Sequence, residues 1–184
     1  MKTVDRWLQQ WRIAKIRRYL PPVARVLDIG CADGALARTV GELHDYVGLD
    51  PGLDASRPLP RGMLIKGCFP GDLPPSASAF DCITMLAVLE HIPLAAQAAL
   101  AADCWRYLRP GGLVLITVPA PAVDYLLALL KALRVIDGMS LEEHYGFDVR
   151  QVPGCFAGAA FELVEHRRFQ LGLNHLFVFR KPSP

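Results

Sequence analysis

The sequence predicts an α/β protein built on a doubly wound, mostly parallel sheet, and three observations lead there. Short apolar runs alternate with segments of helical periodicity through five units along the chain. The first apolar run ends in Asp28 and is followed by small residues at every second position, Gly30, Ala32 and Gly34. Two closing runs of alternating character, joined near Gly172, read as an antiparallel edge pair. In a sheet of this class ligands bind at the carboxyl ends of the strands, at the switch point, which is where the first run ends.

Each element follows from local chemistry. Residues 3–19 form an amphipathic helix, with Val4, Trp7, Leu8, Trp11 and Ala14 on one stripe, ended by Pro21-Pro22. Residues 24–29 are a buried strand. A helix follows from Gly34 to about Leu43, with Asp33 as its N-cap. YVGLD (46–50) is the second strand, turned away by Pro51-Gly52, and MLIKG (63–67) is the third. FPGDLPPSASA is loop by its Pro, Gly and Ser content. FDCITML (80–86) is the fourth strand, residues 94–108 an Ala-rich helix stopped by RPGG, and LVLITVP (113–119) the fifth strand. Residues 122–136 form a largely apolar helix, and FELVEHRRFQ and HLFVFRK close the sheet. The expected organisation is an N-terminal helix over 1–22 and one domain over 23–184, with an inserted helix or lid at about 120–150.

The bulk numbers bound the function. A chain of 184 residues, 52% hydrophobic and 21% charged, suits one compact core. A net charge of +2 gives no electrostatic case for a nucleic-acid partner. The five cysteines contain no Cys-x-x-Cys pair, and the first 22 residues lack the apolar core of a signal peptide; reduced thiols and a cytoplasmic location are expected. The longest greasy stretch carries Asp124, Lys131 and Arg134 and is too short to cross a bilayer.

The first motif selects the ligand. Gly30, Ala32 and Gly34 expose backbone to a close approach, as a pyrophosphate site would. The dinucleotide fingerprint, however, needs glycines spaced G-x-G-x-x-G, and here those positions hold Gly30, Ala32 and Ala35. Asp28 would repel a phosphate and suits a ligand that carries positive charge. S-adenosylmethionine carries an ammonium and a sulfonium. Asp50, about 20 residues past Gly30, stands where a carboxylate accepts ribose hydroxyls.

The segments VLDIGCADG, YVGLDP, FDCITMLAVLEHI and YLRPGGLVLITVP, in that order, resemble the class I S-adenosylmethionine-dependent methyltransferases, in particular small ones with a LEH element after the fourth strand. The resemblance implies a Rossmann-like sheet of seven strands, order 3-2-1-4-5-7-6, with strand 7 antiparallel. It implies that Asp28, Gly30, Cys31, Ala32 and Gly34 surround the methionine part of the cofactor. Asp50 and Pro51 would flank the ribose and adenine, and Leu86 and Ala87 would line the other side. Cys68 replaces an aspartate that in the family accepts a bond from the adenine amino group; a thiol is a poor acceptor, so backbone groups near Cys68 and Phe69 would serve instead.

Methyl transfer from a sulfonium depends chiefly on aligning the acceptor, and an oxygen or nitrogen acceptor can also require a base. His144 in LEEHYGFD, His91 in LEHI and Tyr145 are the candidates. Glu90-His91 and Glu142-Glu143-His144 have the chemistry of a metal cluster, but Ala87 stands where the first acid of a Glu-x-x-Glu-His pattern would be, and no metal is expected. The helix at 122–136 is either sheet packing or a lid over a greasy acceptor. The basic N-terminal helix is either a solvated face or a contact for an anionic membrane surface. The expected acceptor is therefore a small or lipid-like molecule. A nicotinamide oxidoreductase and a non-catalytic cofactor binder remain as alternatives.

Overall fold

A computed structural model describes residues 3–41, 45–120 and 147–184. Eight strands form one sheet: β1 (Arg25–Ile29), β2 (Asp45–Asp50), β3 (Arg57–Leu59), β4 (Gly62–Lys66), β5 (Phe80–Leu86), β6 (Leu108–Pro119), β7 (Glu162–Phe169) and β8 (Asn174–Arg180). Their spatial order is β3-β4-β2-β1-β5-β6-β8-β7. The described helices are α1 (Thr3–Ile16), α2 (Ala35–Val40), α3 (Leu94–Tyr107) and α4 (Val152–Gly158).

Without β3 the order is the expected 3-2-1-4-5-7-6. The strand preceding the last, β7, and the last, β8, run antiparallel to each other, and β8 is antiparallel to β6. The expected seven strands become eight because Arg57–Leu59 folds back on Gly62–Leu64 as an antiparallel edge. Three residues with a central proline and two exposed positions carry no alternation to read. Gly62 lets β4 start hard against β2: its φ is +121°, and a Cβ there would sit 1.8 Å from the Tyr46 carbonyl oxygen.

Apolar residues pack on both faces of the sheet. One face carries Leu27, Ile83, Phe177 and Phe179 under α3 and α4, the other Val26, Leu115 and Val178 under α1 and α2. Helix α1 is rotated from its expected stripe. Ile13 and Ile16 are its buried residues, whereas Trp7 is 59% exposed and Ala14 is exposed. The two indoles pack edge-on against each other at 4.7 Å; Trp11 is half-buried against the core beneath α1, while Trp7 stays outside it. Helix α2 is shorter than expected, and Gly34, not Asp33, is its N-cap, in a left-handed conformation. Asp33 instead pairs with Arg38 at 2.6 Å. Helix α4 has no sequence signature, since VPGCFAG holds one proline and two glycines; Val152 and Phe156 hold it by burial, with Phe156 stacked on Phe179 at 4.7 Å. The expected helix at 122–136 lies outside the described residues. Among the described residues no helix is long and apolar enough to cross a membrane.

Candidate functional site

A cleft of about 650 Å³ opens at the carboxyl ends of β1, β2 and β5. The turn after β1 forms its floor. Gly30 and Cys31 both donate their amides to the Leu49 carbonyl, at 2.8 and 3.1 Å, which folds the chain sharply back over β2. Gly30 has φ +73°, and a Cβ there would lie 2.3 Å from Cγ2 of Val88. This position must be bare, and the bareness keeps the cleft floor open. Ala32 is also left-handed, φ +47°, at a position glycine would occupy more cheaply.

Two carboxylates face this turn from different depths. Asp50, at the end of β2, accepts from the Ala32 amide at 2.8 Å and from the Gly52 amide at 2.7 Å. Each oxygen is fixed by one backbone donor and keeps a lone pair for a ligand hydroxyl. Asp28 is 3% exposed and lines the cleft from below, where it accepts from Thr84 Oγ1 at 2.6 Å and from the Tyr46 hydroxyl. Burial pushes its pKa up to about 6, against the two hydroxyl donors that favour the ionised form. Burial, followed by the nearby Asp28 and Asp50 charges, pushes the Cys31 thiol up to about 12, so it packs in the wall as an unreactive thiol.

The structure thus brings Asp28, Gly30, Cys31, Ala32, Asp50 and Pro51 together with Leu86 and Ala87 in one lining, and adds His91. Gly34 faces away, into an apolar cavity of about 260 Å³ between α2 and the β3–β4 turn. Cys68 and Phe69 are not in the cleft lining. The Cys68 amide donates to Asp72 Oδ2 at 2.7 Å, its carbonyl accepts from the Asp72 amide at 3.1 Å, and Phe69 packs edge-on against Tyr107. The Cys68 backbone groups expected for adenine are therefore already engaged. His144 and Tyr145 lie outside the described residues. Sequence reasoning missed the contribution of α1: Gln9, Arg12 and Ile13 close one side of the cleft. The signal was present in the basic residues of that helix, but the stripe of tryptophans pointed to the wrong face.

A family profile described as a methyltransferase domain matches residues 4–166, which takes in α1, the cleft and most of the sheet. The chain belongs to this methyltransferase family. Among curated relatives, a ubiquinone biosynthesis O-methyltransferase of Psychrobacter cryohalolentis is 32% identical over 128 residues, covering 61% of this chain and 49% of the relative. A probable S-adenosylmethionine-dependent methyltransferase of Mycolicibacterium smegmatis is 29% identical over 154 residues, covering 77% of this chain and 59% of the relative. The chain spans about half the length of these curated relatives. Among solved structures, a TehB-like methyltransferase from Corynebacterium glutamicum superposes with a TM-score of 0.66 at 17% identity, covering 96% of this chain and 97% of the other. The 1,6-didemethyltoxoflavin-N1-methyltransferase of Burkholderia thailandensis, solved with S-adenosylhomocysteine, gives 0.68 at 20% identity over 96% of this chain and 79% of the other. At those identities the likeness is one of fold.

S-adenosylmethionine is the cofactor of this methyltransferase class, and the cleft has the chemistry to take it. It offers a fixed carboxylate for a diol in Asp50, a buried carboxylate for a cation in Asp28, and a floor that a Cβ at Gly30 would obstruct.

Proposed function

We propose that the chain transfers a methyl group from S-adenosylmethionine to a hydroxyl oxygen of a small or lipid-like acceptor. The observation that supports the reading best is the pair of carboxylates, Asp28 and Asp50, set around a bare left-handed turn at the strand ends. O-methyltransferase in the name of relatives assigned to ubiquinone biosynthesis favours a hydroxyl acceptor.

When bound, S-adenosylmethionine supplies a methyl group already activated by its positive sulfur. The protein's part is placement. Asp50 would take the ribose diol, with its geometry set in advance by the Ala32 and Gly52 amides. Asp28 would offset the positive charge from within a low-dielectric wall. Arg12, lining the cleft from α1, is the cation suited to the cofactor's carboxylate. Leu86, Ala87 and Val88 would exclude water on the side that faces β6. A further part of the proposal is contact with an anionic membrane surface, supported by exposed Trp7, Arg6 and Arg17 at the N-terminal helix. Flotation with anionic vesicles tests it; an absence of binding ends that part.

The test of the main reading is cofactor labelled in its methyl group, incubated with the protein and an extract of the source cell, with Asp50→Ala beside it. Label in the lipid or small-molecule fraction, lost in the variant, is the expected result. A protein that binds cofactor but labels no fraction would refute a catalytic role.

A further inference from the structure

Behind the cofactor turn, between α2 and the β3–β4 turn, lies the apolar cavity of about 260 Å³. Its inner wall is made by Ala37 from α2, Tyr46 from β2, Leu59 from β3, Leu64 from β4 and the backbone of Gly34. The Tyr46 hydroxyl is turned away from this space, because it donates to Asp28. Three exposed arginines, Arg38, Arg57 and Arg61, complete the lining, and none of the described residues lining the cavity is acidic. Arg38 pairs with Asp33 at 2.6 Å, and Arg57 reaches the Asp33 main-chain carbonyl at 3.4 Å. The result is an apolar interior under a positive rim. That combination is complementary to a molecule with an apolar body and a carboxylate head. An apolar cavity of about 150 Å³ holds a benzene ring, so this one has room for a single substituted ring.

One side chain separates this cavity from the cofactor cleft. The Tyr46 ring lines the cavity, and its hydroxyl bonds Asp28, which lines the cleft. The turn after β1 is a second shared wall: the Gly34 amide donates to the Cys31 carbonyl at 2.9 Å, with Gly34 on the cavity side and Cys31 on the cleft side. The groups that face Asp28 are Tyr46 and Asp50 from β2, Thr84 from β5 and Cys31 from the turn, with Arg12 of α1 and His91 lining the same cleft.

We propose that this cavity is an effector site for a small apolar carboxylate, whose binding acts on the cofactor cleft through Tyr46. Without an occupant the cavity gives the Tyr46 ring room to swing off Asp28, and an occupant takes that room. The hydroxyl is then held on Asp28, where its donated bond favours the ionised carboxylate. The ionised form is the one that suits a cationic cofactor. The coupling is reciprocal, so the cofactor tightens the carboxylate by the same factor. With the Asp28 pKa at about 6, its full ionisation is worth at most about fourfold in cofactor affinity at pH 5.5 and almost nothing at pH 7.5. The site is independent of the identity of the methyl acceptor and needs only that the cleft bind its cofactor.

Benzoate is the probe, with benzyl alcohol as its uncharged counterpart. Amide NMR shifts of the full chain are followed with S-adenosylhomocysteine saturating the cofactor cleft, so that benzoate is read at the cavity alone. Benzoate should move the amides of Gly34, Ala37, Gly41 and Leu64, and benzyl alcohol should bind about tenfold more weakly. Arg57→Gln combined with Arg61→Gln should weaken benzoate about tenfold and leave benzyl alcohol within twofold. Ala37→Leu, a substitution that a helix accepts, should fill the space and abolish binding of both, while calorimetric binding of S-adenosylhomocysteine shows that the fold stands. In saturating benzoate S-adenosylmethionine should bind about threefold tighter at pH 5.5 and with unchanged affinity at pH 7.5. Tyr46→Phe should keep benzoate binding and lose that gain. No shift of the amides around the cavity overturns the site, and equal binding of benzyl alcohol overturns its assignment to a carboxylate. Benzoate that binds yet leaves cofactor affinity unchanged at pH 5.5, or a gain that persists in Tyr46→Phe, overturns the coupling.

Discussion

Asp28 offers a quantitative test of how the cofactor cleft works. Its carboxyl is buried, and its pKa in the cofactor-free protein is pushed up to about 6. A cationic ligand favours the ionised form, so the affinity for S-adenosylmethionine should carry the factor 1 + 10^(pKa − pH) as a penalty. With a pKa of about 6 that factor is about 11 at pH 5 and about 1.1 at pH 7, a roughly tenfold loss of affinity worth about 1.4 kcal/mol. Titration calorimetry at pH 5, 6 and 7 reads the loss directly. Repeating the pH 6 titration in two buffers of different ionisation enthalpy should show release of about half a proton. Asp28→Asn should bind more weakly at pH 7 and lose its share of the slope, which separates it from His91, another titratable group in the lining. The sign for stability is the reverse. A carboxyl with a raised pKa favours the native state in its protonated form, so the cofactor-free protein loses this contribution as pH rises from about 4 through 6. An affinity that does not change between pH 5 and 7, or an unchanged slope in Asp28→Asn, would refute the placement of charge beside this carboxyl.

Four further outcomes follow from the site and the fold. Arg12→Gln should weaken S-adenosylhomocysteine binding about tenfold or more by calorimetry and leave 5′-methylthioadenosine, which lacks the carboxylate, within twofold; equal losses for both would exclude the pairing. Gly62→Ala should cost about 2–4 kcal/mol in denaturant unfolding, because its Cβ would meet the Tyr46 backbone, which cannot swing aside. Gly154→Ala, in α4 with nothing within 4 Å, should instead gain about 0.5–1 kcal/mol in the same assay. His175 has its pKa held down at about 4, below the ordinary 6.5, so its neutral form stabilises the native state above about pH 6.5, and that stabilisation is lost as pH falls toward 4. Thermal melts of His175→Gln should lack this part of the acid loss.

The central sheet was legible because parallel strands buried on both faces read as continuous apolar runs bounded by turn residues. The clustering of Asp28, Gly30 and Asp50 around the turn after β1 was legible for a different reason: a carboxylate and a bare backbone at a strand end are chemical choices visible without tertiary information, and the structure sets all three in one lining. What failed depended on packing. Strand β3 exists because β4 offers it an edge, and α4 because Val152 and Phe156 find an aromatic bed. The face of α1 was misread in part because indoles rank as core residues by hydrophobicity, whereas here Trp7 is exposed, Trp11 is only half-buried, and the sheet takes Ile13 and Ile16. The expected backbone contacts at Cys68 could not be judged from sequence, since Asp72 claims them from one turn further on.

The histidine pair shows where register adds chemistry that spacing hides. His166 and His175 are nine residues apart, too far for any helical or strand pattern to couple them. The turn at residues 170–173 sets Phe169 opposite Asn174, and the pairings further along the hairpin continue from that one. The two imidazoles then share a face with Phe177, whose stack on His166 fixes the ring that His175 bonds, while His175 itself lines a cavity walled by Phe147 and Arg168. Its row neighbour is Val118, so β6 stands between the histidine pair and the strand whose end holds Ala87. A one-residue slip of β8 would turn His175 to the opposite face. Placement of the histidine pair and placement of the core aromatics Phe177 and Phe179 are thus one structural decision, and a variant that preserves the hairpin core preserves the geometry of the pair.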